Sequence, residues 1–233
     1  MDDDHLLFGG NYLLKYNVNQ KDFQSIGISK GKIANIWSIF QDRYQTYWLG
    51  LENKGLAYWK EDLGTLVEYT QYNSFEQLKH SYVYAFLDWD KEHILVGSTS
   101  GIYVLHHEKG IIRRFWETGE NDDYFPHNSI YHFYRDKYDA NVVWVATGGG
   151  GLVRWVRENG RRTNENIVDQ NNRPFSSAFQ QFTTANGLSS NVIYAVYEDE
   201  NRNLWLPSDY GIIRLNKDGF AAKAYIEEDG LSH

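Results

Sequence analysis

The sequence has no cysteine, three prolines and one methionine, and no apolar run approaching the roughly 20 residues that a membrane-spanning helix requires. Without cysteine there is no disulfide framework and no thiolate chemistry, although the compartment stays open because exported proteins can also do without it. Positive charge is in deficit as well: 23 Lys and Arg face 31 Asp and Glu, a formal net charge of -8. Binding to a phosphate backbone needs a clustered basic surface, so nucleic acid is not an expected partner. The opening MDDDHLLFGG carries an acidic head where a secretory leader would be basic, so the segment is expected to make no membrane contact and to hold no signal peptide. What is abundant is aromatic residues, 16% of the chain, with 20 glycines against the three prolines. That composition suits half-buried strands closed by glycine turns and implies an all-β protein.

The stretch SSNVIYAVYEDENRNLWLPSDYGIIRL (189–215) shows how the strands are arranged. An apolar run, a charged turn, a short second run and a glycine re-entry into a third run make three antiparallel strands. The same unit recurs in IANIWSIFQDRYQTYWLGLENKGLAYW (33–59), SYVYAFLDWDKEHILVGSTSGIYVL (81–105) and NSIYHFYRDKYDANVVWVATGGGGLVRW (128–155), and HLLFGGNYLLKYN (5–17) repeats it without its first strand. A fourth strand follows each unit, at 66–69, 111–115, 179–182 and 220–226. The residues opening the short second strand are Leu7, Trp48, Leu95, Trp144 and Trp205, at first about 40 to 50 residues apart, the period of a four-stranded propeller blade. The last interval is lengthened by a polar, aperiodic insertion at 156–178. Alternation along 192–197 places Val192, Tyr194 and Val196 on one face and Ile193, Ala195 and Tyr197 on the other, both largely apolar. A sheet apolar on both faces must be stacked on both, so the expected fold is a β-propeller of four-stranded antiparallel blades. About five blades are visible: a partial one at 5–27, then 32–70, 80–116, 127–183 and 189–227, with 228–233 leading into a further inner strand. The first unit lacks an inner strand, so the expectation is an excerpt of a larger propeller; an incomplete ring of five blades is the alternative.

These residues resemble the two-component regulator propeller repeat, whose usual form is Asn before an apolar inner strand, an Asp-containing turn, Leu-Trp-Ile-Gly-Thr and then Gly-Leu. Asn191, Asp199, Leu204, Trp205, Ser208 and Gly211 fit it, as do Asn128, Asp136, Trp144, Thr147, Gly151 and Leu152, and Asn35, Asp42, Trp48, Gly50, Gly55 and Leu56. Pro207 and Leu95 depart from it, and the first unit is truncated. The resemblance implies the periplasmic or extracellular sensor region of a membrane-spanning receptor such as a hybrid histidine kinase or a diguanylate cyclase. Such receptors often carry two propellers and an immunoglobulin-like domain, and several in gut bacteria respond to oligosaccharides. It thus implies an oligosaccharide or other small ligand, and a homodimer in the full receptor.

Several motifs could carry chemistry. The recurrent Trp48, Trp144 and Trp205 could stack on sugars, but repetition in every blade reads as packing. His106 and His107 are strand neighbours facing opposite ways, and His127 and His132 are separated by an odd number of residues, so neither pair suits a metal. The TGGGG run (147–151) continues into a strand where a phosphate loop would enter a helix. Asp42, Asp136 and Asp199 occupy one turn in successive blades, which makes them turn formers and not a catalytic pair. No catalytic group, metal or cofactor is expected. The remaining candidates are rim loops that propeller topology places at one end of the blades: Asn53, Lys54, Thr99, Ser100, Tyr124, His127, Asp209 and Tyr210. Each also reads as an ordinary solvated rim residue. The expected function is ligand sensing, with a protein-interaction scaffold as the alternative and a polysaccharide-active propeller enzyme third.

Overall fold

The computed structural model describes residues 4–27, 34–72, 75–120, 123–157 and 177–230. Most of the insertion expected at 156–178, and the last residues of the lead-in at 228–233, lie outside them. The chain forms two compact units, Met1–Arg114 and Phe115–His233. Among the described residues there is no α-helix, only short 3-10 turns between strands.

The first unit holds three antiparallel sheets. The first is three-stranded, with β1 (His5–Gly9), β2 (Leu13–Asn17) and β3 (Asp22–Ile26) in sequential order. The second contains β4 (Ile36–Gln41), β5 (Tyr47–Leu51), β6 (Gly55–Trp59) and β7 (Val67–Glu68), and the third β8 (Val83–Asp88), β9 (His93–Ser98), β10 (Gly101–His106) and β11 (Gly110–Phe115). The second unit holds β12 (Ile130–Arg135), β13 (Val142–Thr147), β14 (Leu152–Arg157) and β15 (Ser177–Phe182), then β16 (Tyr197–Glu198), β17 (Asn203–Ser208), β18 (Gly211–Asn216) and β19 (Ala222–Tyr225). Every sheet is a meander, the strand order of a propeller blade.

Burial explains why the sheets stack. Every residue of β5, β9 and β13 is buried, on both faces, so each of these strands needs a neighbour on each side. Leu13 and Ile26 of the first sheet meet Ile36, Leu49 and Trp59 of the second, and Trp48 and Leu56 of the second meet Val83, Val96 and Tyr103 of the third. In the second unit Trp144 and Leu152 meet Ile193, Leu204 and Leu206. Gly211 and Gly151 open third strands at φ 76 and 77, where a Cβ would lie 2.0 Å from the Tyr225 oxygen and 1.9 Å from the Phe182 oxygen. Only glycine fits there.

The aspartates expected as turn formers do more than form turns. Asp42, Asp136 and Asp199 each accept turn amides on Oδ1 and the indole N–H of Trp48, Trp144 or Trp205 on Oδ2, at 2.8 to 2.9 Å. One carboxylate therefore fixes both the hairpin and the ring beside it. In the blade with Leu95 in place of tryptophan, Asp90 instead accepts from the His93 ring at 2.8 Å. Trp48 and Trp144 are buried as expected, but Trp205 is only half-buried.

The simple alternation expected along 192–197 does not hold. Ile193 and Val196 are fully buried, three residues apart, while Tyr194 and Tyr197 are 50% and 61% exposed. The cause is a one-residue register slip, from Ile193 opposite Ser208 to Tyr197 opposite Trp205. Pro207 has no N–H to give the ladder, and β16 is reduced to two residues.

Candidate functional site

The same slip recurs at the start of the other inner strands, and it sets the geometry of one end of each blade. Pairing shifts by one between Ile36 and Ser38, between Val83 and Ala85, and between Ile130 and His132. The residue left in the bulge is Trp37, Tyr84 or Tyr131, and Tyr194 holds the same place after Ile193. The residues before them, Ile36, Val83, Ile130 and Ile193, are all buried, so the core is filled without the aromatic ring. A bulge redirects its extra side chain away from the sheet. Trp37 is 56% exposed, and Tyr84 and Tyr131 are partly exposed.

Within each unit these rings come together. Trp37 meets Tyr84 edge to face at 5.9 Å, and Tyr84 stacks on Tyr82 at 6.0 Å. Tyr131 and Tyr194 lie parallel, 3° apart in plane and 5.8 Å between centroids. Tyr131 rests against Gly148, where a Cβ would come within 2.6 Å of the ring. The Tyr194 hydroxyl donates to Asp209 Oδ1 at 2.5 Å, and this hydrogen bond to the carboxylate raises the tyrosine pKa above its ordinary value.

The residues singled out in the sequence divide by what they touch. Asp209 joins the tyrosine pair, and Tyr210 beside it is 67% exposed. Asn53 turns the chain at φ 51, and with Lys54 it projects into solvent. Thr99 Oγ1 accepts from the Tyr82 amide at 3.2 Å. Ser100 is engaged internally: its hydroxyl contacts Ser81 and Tyr103 at 2.6 and 2.8 Å, and its carbonyl accepts from Arg114 Nε and Nη2. Tyr124 is bridged to Trp116. His127 lies beneath Gly149 and Gly150, with Nδ1 accepting from the Ser129 amide, which makes it a support for the glycine turn. Sequence reasoning missed Trp37, Tyr84, Tyr131 and Tyr194. The signal was present: an aromatic follows the first buried residue of each inner strand in IWSIF, VYAFL, IYHFY and IYAVY.

The opposite end of the blades carries two polar clusters. Glu92, His93 and His106 place one ligand-type atom each within 4.8 Å of one another. His93 donates Nδ1 to Asp90, the arrangement of a metal-binding histidine. His106 works against a cation, because its Nδ1 accepts from the amides of Glu108 and Lys109 at 3.1 and 3.3 Å. A neutral imidazole holding that lone pair carries its proton on Nε2, the atom that would have to bind. Burial, His93 and Lys109 lower the His106 pKa and keep the ring neutral. In the second unit Lys217 Nζ is held between Asp136 Oδ2 at 2.7 Å and Glu198 Oε1, with side-chain exposures of 6%, 5% and 0% respectively. Lys217 also lies over the Tyr138 ring, 5.1 Å from its centroid.

The stacked four-stranded meanders define the class as β-propeller. Residues 187–206 match the two component regulator propeller family. Those residues carry that repeat. Among solved structures it is similar to the extracellular domain of BT3049, classed as a hybrid two component system of B. thetaiotaomicron, at 17% identity and a TM-score of 0.70, covering 100% of this chain and 28% of that one. It is also similar to the computationally designed Ika8 protein, at 12% identity and a TM-score of 0.55, covering 93% of this chain and 56% of that one. At those identities the likeness is one of fold. No protein of curated function matches the sequence.

Proposed function

We propose that this chain is a propeller segment of a bacterial two-component receptor that senses an oligosaccharide or other small ligand outside the cytoplasmic membrane, by binding and without catalysis. The observation that carries the reading is the two component regulator propeller match at 187–206, in a fold shared with the extracellular domain of a hybrid two component system. The chain spans 28% of that domain, so the output region and the homodimer of the full receptor belong to the proposal. The clustering of exposed aromatics at one end of the blades supports binding. The carboxylates Asp42, Asp136 and Asp199 are engaged by turn amides and indoles, which supports the absence of hydrolytic chemistry. Signalling follows if the ligand binds one receptor arrangement more tightly than another.

A scaffold role has one observation in its favour, the exposed Leu6, Phe8, Tyr12 and Phe23 of the first sheet. The two readings separate in the full-length receptor. Sensing predicts that a defined set of neutral and acidic oligosaccharides contains one that changes its phosphorylation state, and that deleting the blades removes the response. A response that persists without the blades refutes sensing by this segment.

A further inference from the structure

We propose that within each unit the aromatic residues set in the inner-strand bulges form a ligand-stacking surface, and that the one made by Tyr131, Tyr194 and Asp209 is the better formed, suited to a neutral ring with one C–H face and a hydroxyl edge, such as a pyranose. This rests on the sensing reading above and assigns it specific residues.

The bulge is the first argument. A bulge interrupts the regular ladder, so its presence at the same place in several inner strands needs a reason. Packing does not supply one, because the core positions are filled by Ile36, Val83, Ile130 and Ile193. A small polar residue would suffice for an extra position turned to solvent. In its place stand Trp37, Tyr84, Tyr131 and Tyr194, of which Trp37 and Tyr194 are more than half or half exposed. This is the reverse of Trp48 and Trp144, which also recur but are buried. Recurrence marks an aromatic position, and exposure tells a binding ring from a packing ring.

The second argument is geometry. The parallel alignment of Tyr131 and Tyr194 gives a stepped aromatic surface, and Gly148 lets the first ring lie against the backbone. The Tyr194 hydroxyl is tied to Asp209 Oδ1, which fixes the ring's tilt and leaves Oδ2 as an acceptor at its edge among the described residues. An aromatic face bordered by a carboxylate acceptor complements a ring that is apolar on its face and donates hydroxyl protons at its rim. The carboxylate disfavours an anionic ring by like-charge repulsion. In the first unit Trp37 and Tyr84 repeat the aromatic part, with the Glu52 carboxylate accepting from the Tyr82 hydroxyl at 3.4 Å.

The test uses the 233-residue chain and a fixed probe set: malto-, cello-, xylo- and mannotetraose, and tetragalacturonate as the anionic counterpart. Saturation-transfer NMR and calorimetry read binding. The expected result is that a neutral tetrasaccharide binds through its ring C–H protons. Tyr194→Ala and Tyr131→Ala should each weaken it about tenfold, the equivalent of about 1.4 kcal/mol. Tyr194→Phe, which keeps the ring and loses the link to Asp209, should weaken it less, and Tyr210→Ala should leave it unchanged. Circular dichroism and the melting temperature of each variant check the fold. Undiminished binding in the Tyr131→Ala/Tyr194→Ala double variant overturns this site while leaving the sensing reading intact. Binding of tetragalacturonate alone overturns the neutral-ring assignment, and no binding by any probe overturns the proposal as stated. The sensing reading is then judged separately, by the receptor response to the blade deletion.

Discussion

Replacing Lys217 with methionine isolates the charged cluster that ties the last blade of the second unit to the one before it. Lys217 follows β18, while Asp136 follows β12, the inner strand of the preceding blade, and Glu198 closes β16. All three side chains are at most 6% exposed. Methionine keeps the length and apolar stem of lysine but removes the charge, leaving two carboxylates buried without their cation. Removing one partner of a buried pair costs about 3 to 5 kcal/mol, because the remaining charge is desolvated and uncompensated. Loss of the cation over Tyr138 adds to this. Urea denaturation at neutral pH should show the loss as a lower midpoint at unchanged slope. Adding Glu198→Gln to Lys217→Met should recover part of it by removing one stranded charge. Lys137→Met, which breaks the exposed contact to Glu200, serves as the control and should leave the midpoint nearly unchanged. The pH dependence has a definite sign. Desolvation pushes the Asp136 carboxyl up, but the hydrogen bonds from Lys217 and Trp144 outweigh it and hold the pKa below its ordinary value of 3.8. Its contribution to stability is therefore complete above that value and is lost as pH falls through the depressed folded pKa. In Lys217→Met the desolvation is less opposed, so the acid transition should move to higher pH. A Lys217→Met protein that loses less than about 1 kcal/mol, with no shift in the acid limb, would refute the buried-cluster reasoning.

Three further outcomes are expected. Trp144→Ala should cost about 3 to 5 kcal/mol in urea denaturation and Trp205→Ala distinctly less, since Trp144 is 1% exposed and Trp205 half-buried; equal or reversed losses would contradict the packing described. Gly151→Ala should destabilise by more than about 1 kcal/mol, whereas Gly219→Ala, where a Cβ meets nothing within 4 Å, should be nearly neutral, as differential melting would show. Burial lowers the His132 pKa, and its Nδ1 accepts from the Val196 amide at 3.2 Å. NMR titration should therefore find this ring charging only below the usual 6.5, with its stabilising effect present above that pH and lost as pH falls through the folded pKa.

The candidate site shows where sequence reading stops. Asp209 and Tyr210 are legible as a loop beside a glycine re-entry, because turn chemistry is local. Ser100 and His127 look the same in sequence, yet the structure engages Ser100 with Ser81, Tyr103 and Arg114 and places His127 under the glycine turn. Which polar groups remain available depends on neighbours that are remote along the chain. Tyr194 was misplaced for another reason: strict alternation assumes an unbroken ladder, and one slipped residue reverses every side chain beyond it.

By itself the sequence determined the strands, their hairpin order, the glycine re-entries and the stacking of sheets that are apolar on both faces. Those features follow from period-two patterning and from backbone conformations that only a few residue types tolerate. The tertiary structure alone decided that Asp42, Asp136 and Asp199 hold indoles, that Lys217 reaches a carboxylate 81 residues away, and that a bulge turns Trp37 and Tyr194 outward. Those depend on register between strands and on packing between sheets, and register is settled by contacts that no single segment contains.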